Sequence, residues 1–227
     1  MPMSHPRERG FTLLEMAVVL AIVGFLLGGL LTNLGTMHSS QNDAATRRQL
    51  EDIREALIVF AVVNRRLPCP AAPATADTVV GAGLEQAPIA GGCTGGVNGV
   101  LPWATLGLPQ TDAWGRRFTY RVAAGFARSA PAITLASVGD ITVQNRSLVT
   151  IAAQVPVVVV SHGKDAAGSR NRAGAAAAAG PNAQQVENAD SDAIFVSETP
   201  TDTYDDQITW VPTTLLLGRM LQGGVLP

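Results

Sequence analysis

Apolar and polar positions divide the chain into segments of very different character. Residues 11–31 read FTLLEMAVVLAIVGFLLGGLL and contain one ionisable side chain, that of Glu15. A helix of this length extends about 30 Å, which is the thickness of the hydrocarbon core of a bilayer. The pattern therefore predicts a transmembrane helix at residues 11–35, preceded by a short polar segment at residues 1–10.

A second helical stretch is predicted over residues 36–63. Leu50, Ile53, Leu57 and Phe60 recur at intervals of three and four residues, and this spacing places them on one face of a helix. We expect this apolar stripe to pack on a globular head.

Proline and glycine recur through residues 64–107, and this pattern predicts a long connecting loop. The glycines do not form a nucleotide-binding loop, because the Gly-Lys-Ser/Thr ending of a P-loop is missing from the sequence.

Residues 108–227 are predicted to form a β-rich globular head. Segments rich in β-branched and aromatic residues predict an antiparallel sheet with strands at 117–122, 132–137, 148–152, 155–161, 193–196 and 207–211. Residues 214–221 suit either a short helix or a last strand. Residues 163–188 include GAAAAAG, which offers little to pack. We expect this stretch to be a flexible insertion or an exposed turn.

Charge gives a direction to the predicted membrane segment. Arg7 and Arg9 precede it, and the next basic residue is Arg47, so the N-terminus is expected in the cytoplasm and the head outside. The net charge of the 227-residue chain is -2, and its basic residues form no run. No nucleic-acid partner is expected.

Two cysteines, Cys69 and Cys93, lie on the expected external side. Thiols are commonly oxidised there, so we predict a disulfide. Such a bridge would close a loop of about 25 residues and stabilise the fold by roughly 3 kcal/mol. Free thiols remain the alternative, and a zinc site is disfavoured because the ligands are too few.

The sequence gives little support for an enzyme. Its three histidines are His5, His38 and His162, and neither a Gly-x-Ser-x-Gly nor a His-Glu-x-x-His motif occurs. We expect His162 to lie at a strand end in contact with solvent.

The segment RERG followed by FTLLEMAVVLAIVGFLLGG closely resembles the class III leader and N-terminal helix of type IV prepilins and type II secretion pseudopilins. The resemblance implies that a prepilin peptidase cuts after Gly10 and methylates the new N-terminal residue, Phe11. Glu15 then occupies the fifth mature position, where the carboxylate of family members pairs with the α-amine of a neighbouring subunit during assembly.

A physical argument agrees with that role for Glu15. An unpartnered carboxylate in the apolar region of a bilayer costs on the order of 2.5 to 3.5 kcal/mol, so a partner is expected. A carboxyl group at the membrane interface, or a protonated one, is the alternative.

The resemblance also implies a fold, a location and partners. The fold would be α+β and pilin-like, with a long N-terminal helix packed on an antiparallel β-sheet. The protein would cross the bacterial inner membrane once, with its head in the periplasm. Its partners would be other pilin or pseudopilin subunits, the prepilin peptidase, an inner-membrane platform protein, a cytoplasmic ATPase and membrane lipid.

A second resemblance concerns the kind of filament. The sequence Asp112-Ala113-Trp114-Gly115 is similar to the Asp-Pro-Trp-Gly that opens the sheet in major pseudopilins, with Ala113 in place of proline. The cysteine pair and the long insertions suggest a minor pseudopilin. A minor type IV pilin for adhesion, motility or DNA uptake is one alternative. A pilin-signal-anchored periplasmic binding or hydrolytic domain is another.

Unbalanced acidity marks a candidate cation site. Between Arg172 and Arg219 there is no basic residue, and the acidic residues there are Glu187, Asp190, Asp192, Glu198, Asp202, Asp205 and Asp206. Oxygen ligands of this kind suit Ca²⁺. Major pseudopilins carry a calcium loop near the C-terminus that the run DTYDDQITW resembles, which makes Asp202, Asp205 and Asp206 candidate ligands, with Asp165 as a further one. A solvated acidic loop is the alternative.

Overall fold

The computed structural model describes residues 11–226, apart from the side chains of residues 26–36. The chain divides between Gln41 and Asn42 into two compact units. The first helix, α1 (Leu13–Asn64), continues through this division. The expected leader at residues 1–10, with Gly10, lies outside the described residues.

In the first unit, the described residues 11–25 expose large apolar side chains. Phe11, Leu13 and Phe25 are 82 %, 93 % and 86 % exposed. Among the described residues, none of the helices combines the length and the apolar character needed to cross a membrane.

In the second unit, α1 carries the predicted apolar stripe. Leu50, Ile53 and Leu57 are buried, and they join the main hydrophobic core. The helix ends at Asn64, whose side-chain amide donates a 3.0 Å hydrogen bond to the carbonyl of Phe60. Arg65 then takes a φ of 58°, a left-handed conformation that commonly ends a helix.

Two larger sheets and a short β-ribbon form the rest of the head. The described strands are β1 (Pro88–Ile89), β2 (Gly92–Cys93), β3 (Asn98–Val100), β4 (Thr119–Val122), β5 (Ile141–Gln144), β6 (Thr150–Val155), β7 (Val157–Ser161), β8 (Ile194–Val196) and β9 (Gln207–Val211). The shorter helices are α2 (Trp103–Leu106), α3 (Ala124–Ala127), α4 (Ala183–Glu187) and α5 (Thr213–Gln222).

The central layer is a four-stranded antiparallel sheet in the order β3-β4-β7-β9. A three-stranded sheet, β6-β5-β8, contains an antiparallel and a parallel pair. The α+β class is therefore confirmed.

Strand β7 shows how the layers are held together, because its alternate side chains enter two different cores. Val157 and Val159 join the core that includes the stripe of α1. Val158 and Val160 pack in a second core with Ile141 of the three-stranded sheet. The four-stranded sheet is thus covered by α1 on one face and by the three-stranded sheet on the other.

Several strand predictions require correction. The strand predicted at 155–161 begins too early, because Val155 ends β6 and Pro156 separates it from β7, which belongs to a different sheet. The strand predicted at 132–137 is wrong. Ser137 there donates its N–H to the carbonyl of Thr134 and accepts the N–H of Thr134 at its hydroxyl, so local bonds replace a ladder. Residues 214–221 form part of helix α5.

The Ala/Gly-rich stretch at 163–188 is only partly an exposed turn. Residues 175–179 are exposed, as expected. Ala166, Ala167, Gln185 and Asn188, however, are buried. Both ends of the stretch therefore pack into the head.

Candidate functional site

The start of α1 is organised by Thr12 and Glu15. Glu15 Oε2 accepts hydrogen bonds of 3.0 Å from both the backbone N and the hydroxyl of Thr12, and the backbone N of Glu15 donates to Thr12 Oγ1 at 3.2 Å. This reciprocal pair is a capping box. The carboxylate of Glu15 thus lies at the N-terminal end of the helix, bonded to Thr12.

The disulfide predicted between Cys69 and Cys93 is present, with an S–S distance of 1.96 Å. Cys93 lies in β2, and Cys69 follows the end of α1 by five residues. Both residues are buried in the main core. The bridge therefore attaches the loop after α1 to the β1–β2 ribbon.

The Asp112-Ala113-Trp114-Gly115 segment forms a turn held by its first side chain. Asp112 Oδ1 accepts hydrogen bonds from the backbone N of Trp114 at 2.9 Å and of Arg116 at 2.8 Å. Its Oδ2 accepts a 2.6 Å bond from the hydroxyl of Ser161 at the end of β7. Burial raises the pKa of Asp112, and the hydrogen bond from Ser161 opposes that rise. The turn is thereby fixed to the central sheet.

Two of the predicted calcium ligands, Asp165 and Asp205, lie together. Asp205 Oδ2 accepts a 2.8 Å hydrogen bond from the backbone N of Asp165. The side-chain amide of Gln185 donates to Asp165 Oδ2 at 3.0 Å and to Asp205 Oδ1 at 2.7 Å. A Cβ at Gly163 would lie 2.4 Å from the carbonyl oxygen of Asp205, so this close approach requires glycine.

Several negative charges lie close together around Asp165 and Asp205. Burial, and then the charges of Asp165 and Asp206, raise the pKa of Asp205 from 3.8 to about 6. The Oε1 atom of Gln185 is buried and accepts no hydrogen bond within the described residues. Two carboxylates with an unpartnered amide oxygen beside them suit a hard cation such as Ca²⁺. The amide nitrogen of Gln185, however, already donates to both carboxylates, and the calcium site stays a prediction.

The other two predicted ligands are placed differently. Asp206 is buried, and its Oδ2 accepts a 2.8 Å hydrogen bond from the side chain of Asn188. Asp202 is exposed in the turn between Thr201 and Tyr204. Among the described residues, neither side chain is hydrogen-bonded to Asp165 or Asp205, although the charge of Asp206 acts on Asp205.

His162 does not lie at a solvent-exposed strand end, and that expectation is wrong. It is fully buried, and its Nε2 forms a 2.8 Å hydrogen bond with the hydroxyl of Thr119. Its Nδ1 lies 3.6 Å from Asp206 Oδ1. Adjacent strand ends of the central sheet bring these groups together, and the result is an internal polar contact between β4, β7 and the start of β9.

A second group of acidic residues lies close together in the structure. Its members belong to the acidic run described above, but the sequence did not indicate them as a set of ligands. Carboxylate oxygens of Glu187, Asp190 and Asp192 lie within 4.8 Å of one another. Burial, and then the charges of Asp192 and Asp190, raise the pKa of Glu187. Asp190 and Asp192 are exposed. The triad is thus a further place where a cation could meet three carboxylates.

Comparison with known families identifies the N-terminal segment. Residues 5–31 match the family model described as the prokaryotic N-terminal methylation motif. The chain carries a class III leader signal. This is the signal of type IV prepilins and pseudopilins, and it confirms the resemblance drawn from the sequence. No curated protein and no solved structure matches the chain at a significant level.

The class III leader signal includes Phe11 and Glu15, which the structure describes, and Gly10, which it does not. The role of Thr12 was missed, although the Thr-x-x-Glu spacing of a capping box is visible in the sequence. No pattern in the sequence indicated the role of Gln185, because that role depends on contacts between α4 and two distant loops.

Proposed function

We propose that the protein is a minor subunit of a type II secretion pseudopilus. In this proposal a prepilin peptidase cuts after Gly10 and methylates Phe11, and the subunit is stored in the inner membrane through its apolar N-terminal helix. Polymerisation then brings the helices of many subunits together. The observation that carries the proposal is the methylation motif at residues 5–31, which includes the apolar start of α1.

Glu15 would guide assembly. Its carboxylate caps the helix of its own chain through Thr12, and it lies four residues from the N-terminus that cleavage would create. A positively charged α-amine of an incoming subunit can pair with the same carboxylate, since a carboxylate accepts several hydrogen bonds. Pairing removes two charges from an apolar environment, and this favours one register of adjacent helices.

The apolar surface of the early helix supports polymerisation. Side chains such as Leu13 and Phe25 are largely exposed in the single chain. Burying such surface against neighbouring helices contributes roughly 25 cal/mol per Å². Extraction from lipid offsets much of this gain, so an assembly machine is expected to drive the process.

Two features of the head support a minor pseudopilin. The Asp112 turn opens β4, as the similar segment opens the sheet of major pseudopilins. The disulfide-bridged loop and the packed 163–188 insertion enlarge the head beyond a compact major subunit. We also propose that Asp165 and Asp205 hold a Ca²⁺ ion, which would neutralise their mutual repulsion.

The first test is the mass and N-terminal sequence of the protein purified from its native membranes. We expect a mature chain that begins with methylated Phe11. Substitution Gly10→Val should leave the leader in place, whereas Glu15→Gln should be processed normally but should not enter filaments. Glu51→Gln, a neutralisation at an exposed site of α1, is the matched control and should assemble.

An intact Met1, or a cut within or after the apolar segment, would contradict the proposal. The kind of filament is tested by deletion. Loss of protein secretion with normal piliation supports a pseudopilus. Loss of piliation alone would assign the subunit to a type IV pilus, and loss of neither would favour an anchored periplasmic domain.

A further inference from the structure

A small cavity lies against the central sheet on the face turned away from α1. It has a volume of about 260 Å³, and its wall includes four alanines, two glycines and Phe195 of the second core. Thr119 of β4 also lines it. The next residue, Tyr120, enters the main core with the stripe of α1, so the side chain of Thr119 lies on the opposite face of the sheet. We call this feature the Thr119 cavity.

Arg170 is the one charged residue among the described residues that line the Thr119 cavity. Its Nη1 donates a 3.0 Å hydrogen bond to the carbonyl of Gly174. Asp190 and Asp192 flank the lining residue Ser191 in sequence, but neither of them lines the cavity. Their carboxylates accept backbone N–H groups of the same loop. The lining of the cavity therefore carries a single charge, which is positive.

The Thr119 hydroxyl contacts a buried imidazole. Its Oγ1 lies 2.8 Å from Nε2 of His162, within hydrogen-bond distance. Thr119 is half-buried, whereas His162 is fully buried. The imidazole adjoins the cavity wall, because a Cβ built at the lining residue Gly168 would lie 3.8 Å from its Cε1 atom. The hydroxyl therefore connects the cavity to the buried imidazole.

A carboxylate faces the other nitrogen of this imidazole. Asp206 Oδ1 lies 3.6 Å from Nδ1 of His162, and neither atom has a hydrogen-bond partner among the described residues. In sites without substrate such contacts are often long, and they shorten in the reacting complex. Asn188 holds the second oxygen of Asp206 through a 2.8 Å hydrogen bond. The negative charge favours the tautomer with its proton on Nδ1, in which Nε2 accepts the proton of the Thr119 hydroxyl.

We propose that the Thr119 cavity is an esterase site. Thr119 is the nucleophile, His162 is its general base, and Asp206 is a positioning residue that holds the imidazole. A nucleophile, a base and an orienting carboxylate form the arrangement of hydrolytic triads, which is recognised by geometry and not by position in the sequence. The inference goes beyond subunit assembly and does not depend on leader processing.

The reaction consumes one ester and one water molecule. Thr119 Oγ1 attacks the carbonyl carbon of the ester while its proton passes to Nε2 of His162. The C–O bond to the alcohol breaks, and the alcohol leaves with that proton, so that an acyl-threonine remains. Water then gives a proton to the same nitrogen and attacks the acyl group, and Thr119 takes the proton back as the acid leaves. The guanidinium of Arg170 stabilises the negative oxygen that forms in both attacks.

The cavity also selects the class of ester. Its volume of about 260 Å³ is below the usual range for drug-sized ligands, and walls of alanine and glycine suit a short acyl chain. Val100 and Phe195 offer this chain apolar contacts. Because Arg170 is assigned to the negative oxygen, the acyl group itself carries no charge. The substrate class is therefore an ester of a short, uncharged carboxylic acid.

The probe is p-nitrophenyl acetate, added to the full chain in detergent micelles. We expect nitrophenolate release faster than in protein-free micelles. Acid quenching in the first turnover, followed by mass spectrometry of peptides, should find an acetyl group on Thr119. Thr119→Val removes the hydroxyl and keeps the shape, and it should abolish both signals. Thr209→Val makes the same change at a half-buried threonine of β9 outside the cavity and should leave both unchanged.

Further variants test the other side chains, each assayed below its thermal unfolding midpoint. His162→Gln should slow acetylation about a hundredfold or more, because the general base is lost. Asp206→Asn should lower kcat and leave KM unchanged, because Asp206 does not line the cavity. Arg170→Met should slow the reaction about a hundredfold. Thr119→Ser should keep the reaction, since a serine hydroxyl can take the same role.

Three results would overturn the proposal. One is equal nitrophenolate release by the native protein and Thr119→Val. Another is acetylation confined to residues other than Thr119. The third is a native protein that releases nitrophenolate no faster than protein-free micelles. In each case Thr119, His162 and Asp206 would be an internal polar contact without a reaction of their own.

Discussion

The guanidinium carbon of Arg117 lies 4.7 Å above the ring centre of Trp103 in α2. Arg117 is fully buried next to the start of β4. Its N–H groups donate to the backbone carbonyls of Pro73, Thr75 and Arg172. A single cation thus joins the disulfide-bearing loop, α2 and the 163–188 insertion.

The first prediction concerns this contact. Arg117→Met should lower the free energy of unfolding by on the order of 3 kcal/mol, because buried carbonyls lose charged donors. The free energy of unfolding of Arg117→Lys should lie between those of the native protein and Arg117→Met. The ammonium group of lysine cannot both stack on Trp103 and reach the carbonyls, as the planar guanidinium does. Arg48→Met, at an exposed site, is the control for urea denaturation. Equal stability of Arg117→Met and Arg48→Met would contradict a joining role.

The second prediction concerns the bridge between Cys69 and Cys93. Replacing both residues with alanine should lower the free energy of unfolding by about 2 to 4 kcal/mol, since the unfolded chain loses a closed loop. A reductant should destabilise the native protein by a similar amount and should leave the double variant unchanged. If reductant affected both proteins alike, the effect would not come from this disulfide.

The third prediction concerns pH. The pKa of Asp205 is raised from 3.8 to about 6 by burial and by the neighbouring charges of Asp165 and Asp206. The folded chain therefore holds this proton more tightly than the unfolded chain, and stability should fall as pH rises from 3.8 to about 6. Asp205→Asn should lose this part of the pH dependence. Urea denaturation in EDTA across that range measures the difference, and an unchanged slope in the variant would contradict the assignment.

The fourth prediction separates the two acidic groups. Calcium should raise the thermal unfolding midpoint of the native protein, because a ligand that binds only the folded state stabilises it. Asp205→Asn should abolish that rise, and Asp190→Asn should retain it. The reverse result would place the ion at Glu187, Asp190 and Asp192. No rise in the native protein would remove the calcium proposal.

Periodicity was sufficient to predict the elements whose pattern is local. The stripe of Leu50, Ile53 and Leu57 indicated the buried face of α1, and β9 has the bounds predicted for it. Strand β5 was missed, although its residues alternate between buried Ile141 and Val143 and less buried neighbours. A four-residue alternation is short enough to be overlooked in a single sequence.

The remaining features depend on contacts between distant parts of the chain. Pro156 lies between Val155 and the apolar run at residues 157–160, yet the chain passes from one sheet to the other at this proline. The pairing of Asp165 with Asp205 requires Gln185 between them, and no spacing in the sequence indicates that amide. Buried His162 depends on Thr119, which lies on a neighbouring strand. Sequence therefore predicted the Cys69–Cys93 bridge and grouped Asp165 with Asp205, but it did not indicate the contacts made by Gln185 and His162.

The position of the disulfide also has a mechanical consequence. Cys69 and Cys93 are 24 residues apart in sequence, but their Cα atoms are 5.7 Å apart. A tensile force that pulls the chain from its two ends cannot lengthen the enclosed segment, which would otherwise extend by about 80 Å at roughly 3.4 Å per residue. In the oxidised head this segment therefore cannot extend, and under load the oxidised head would stretch less than its reduced form.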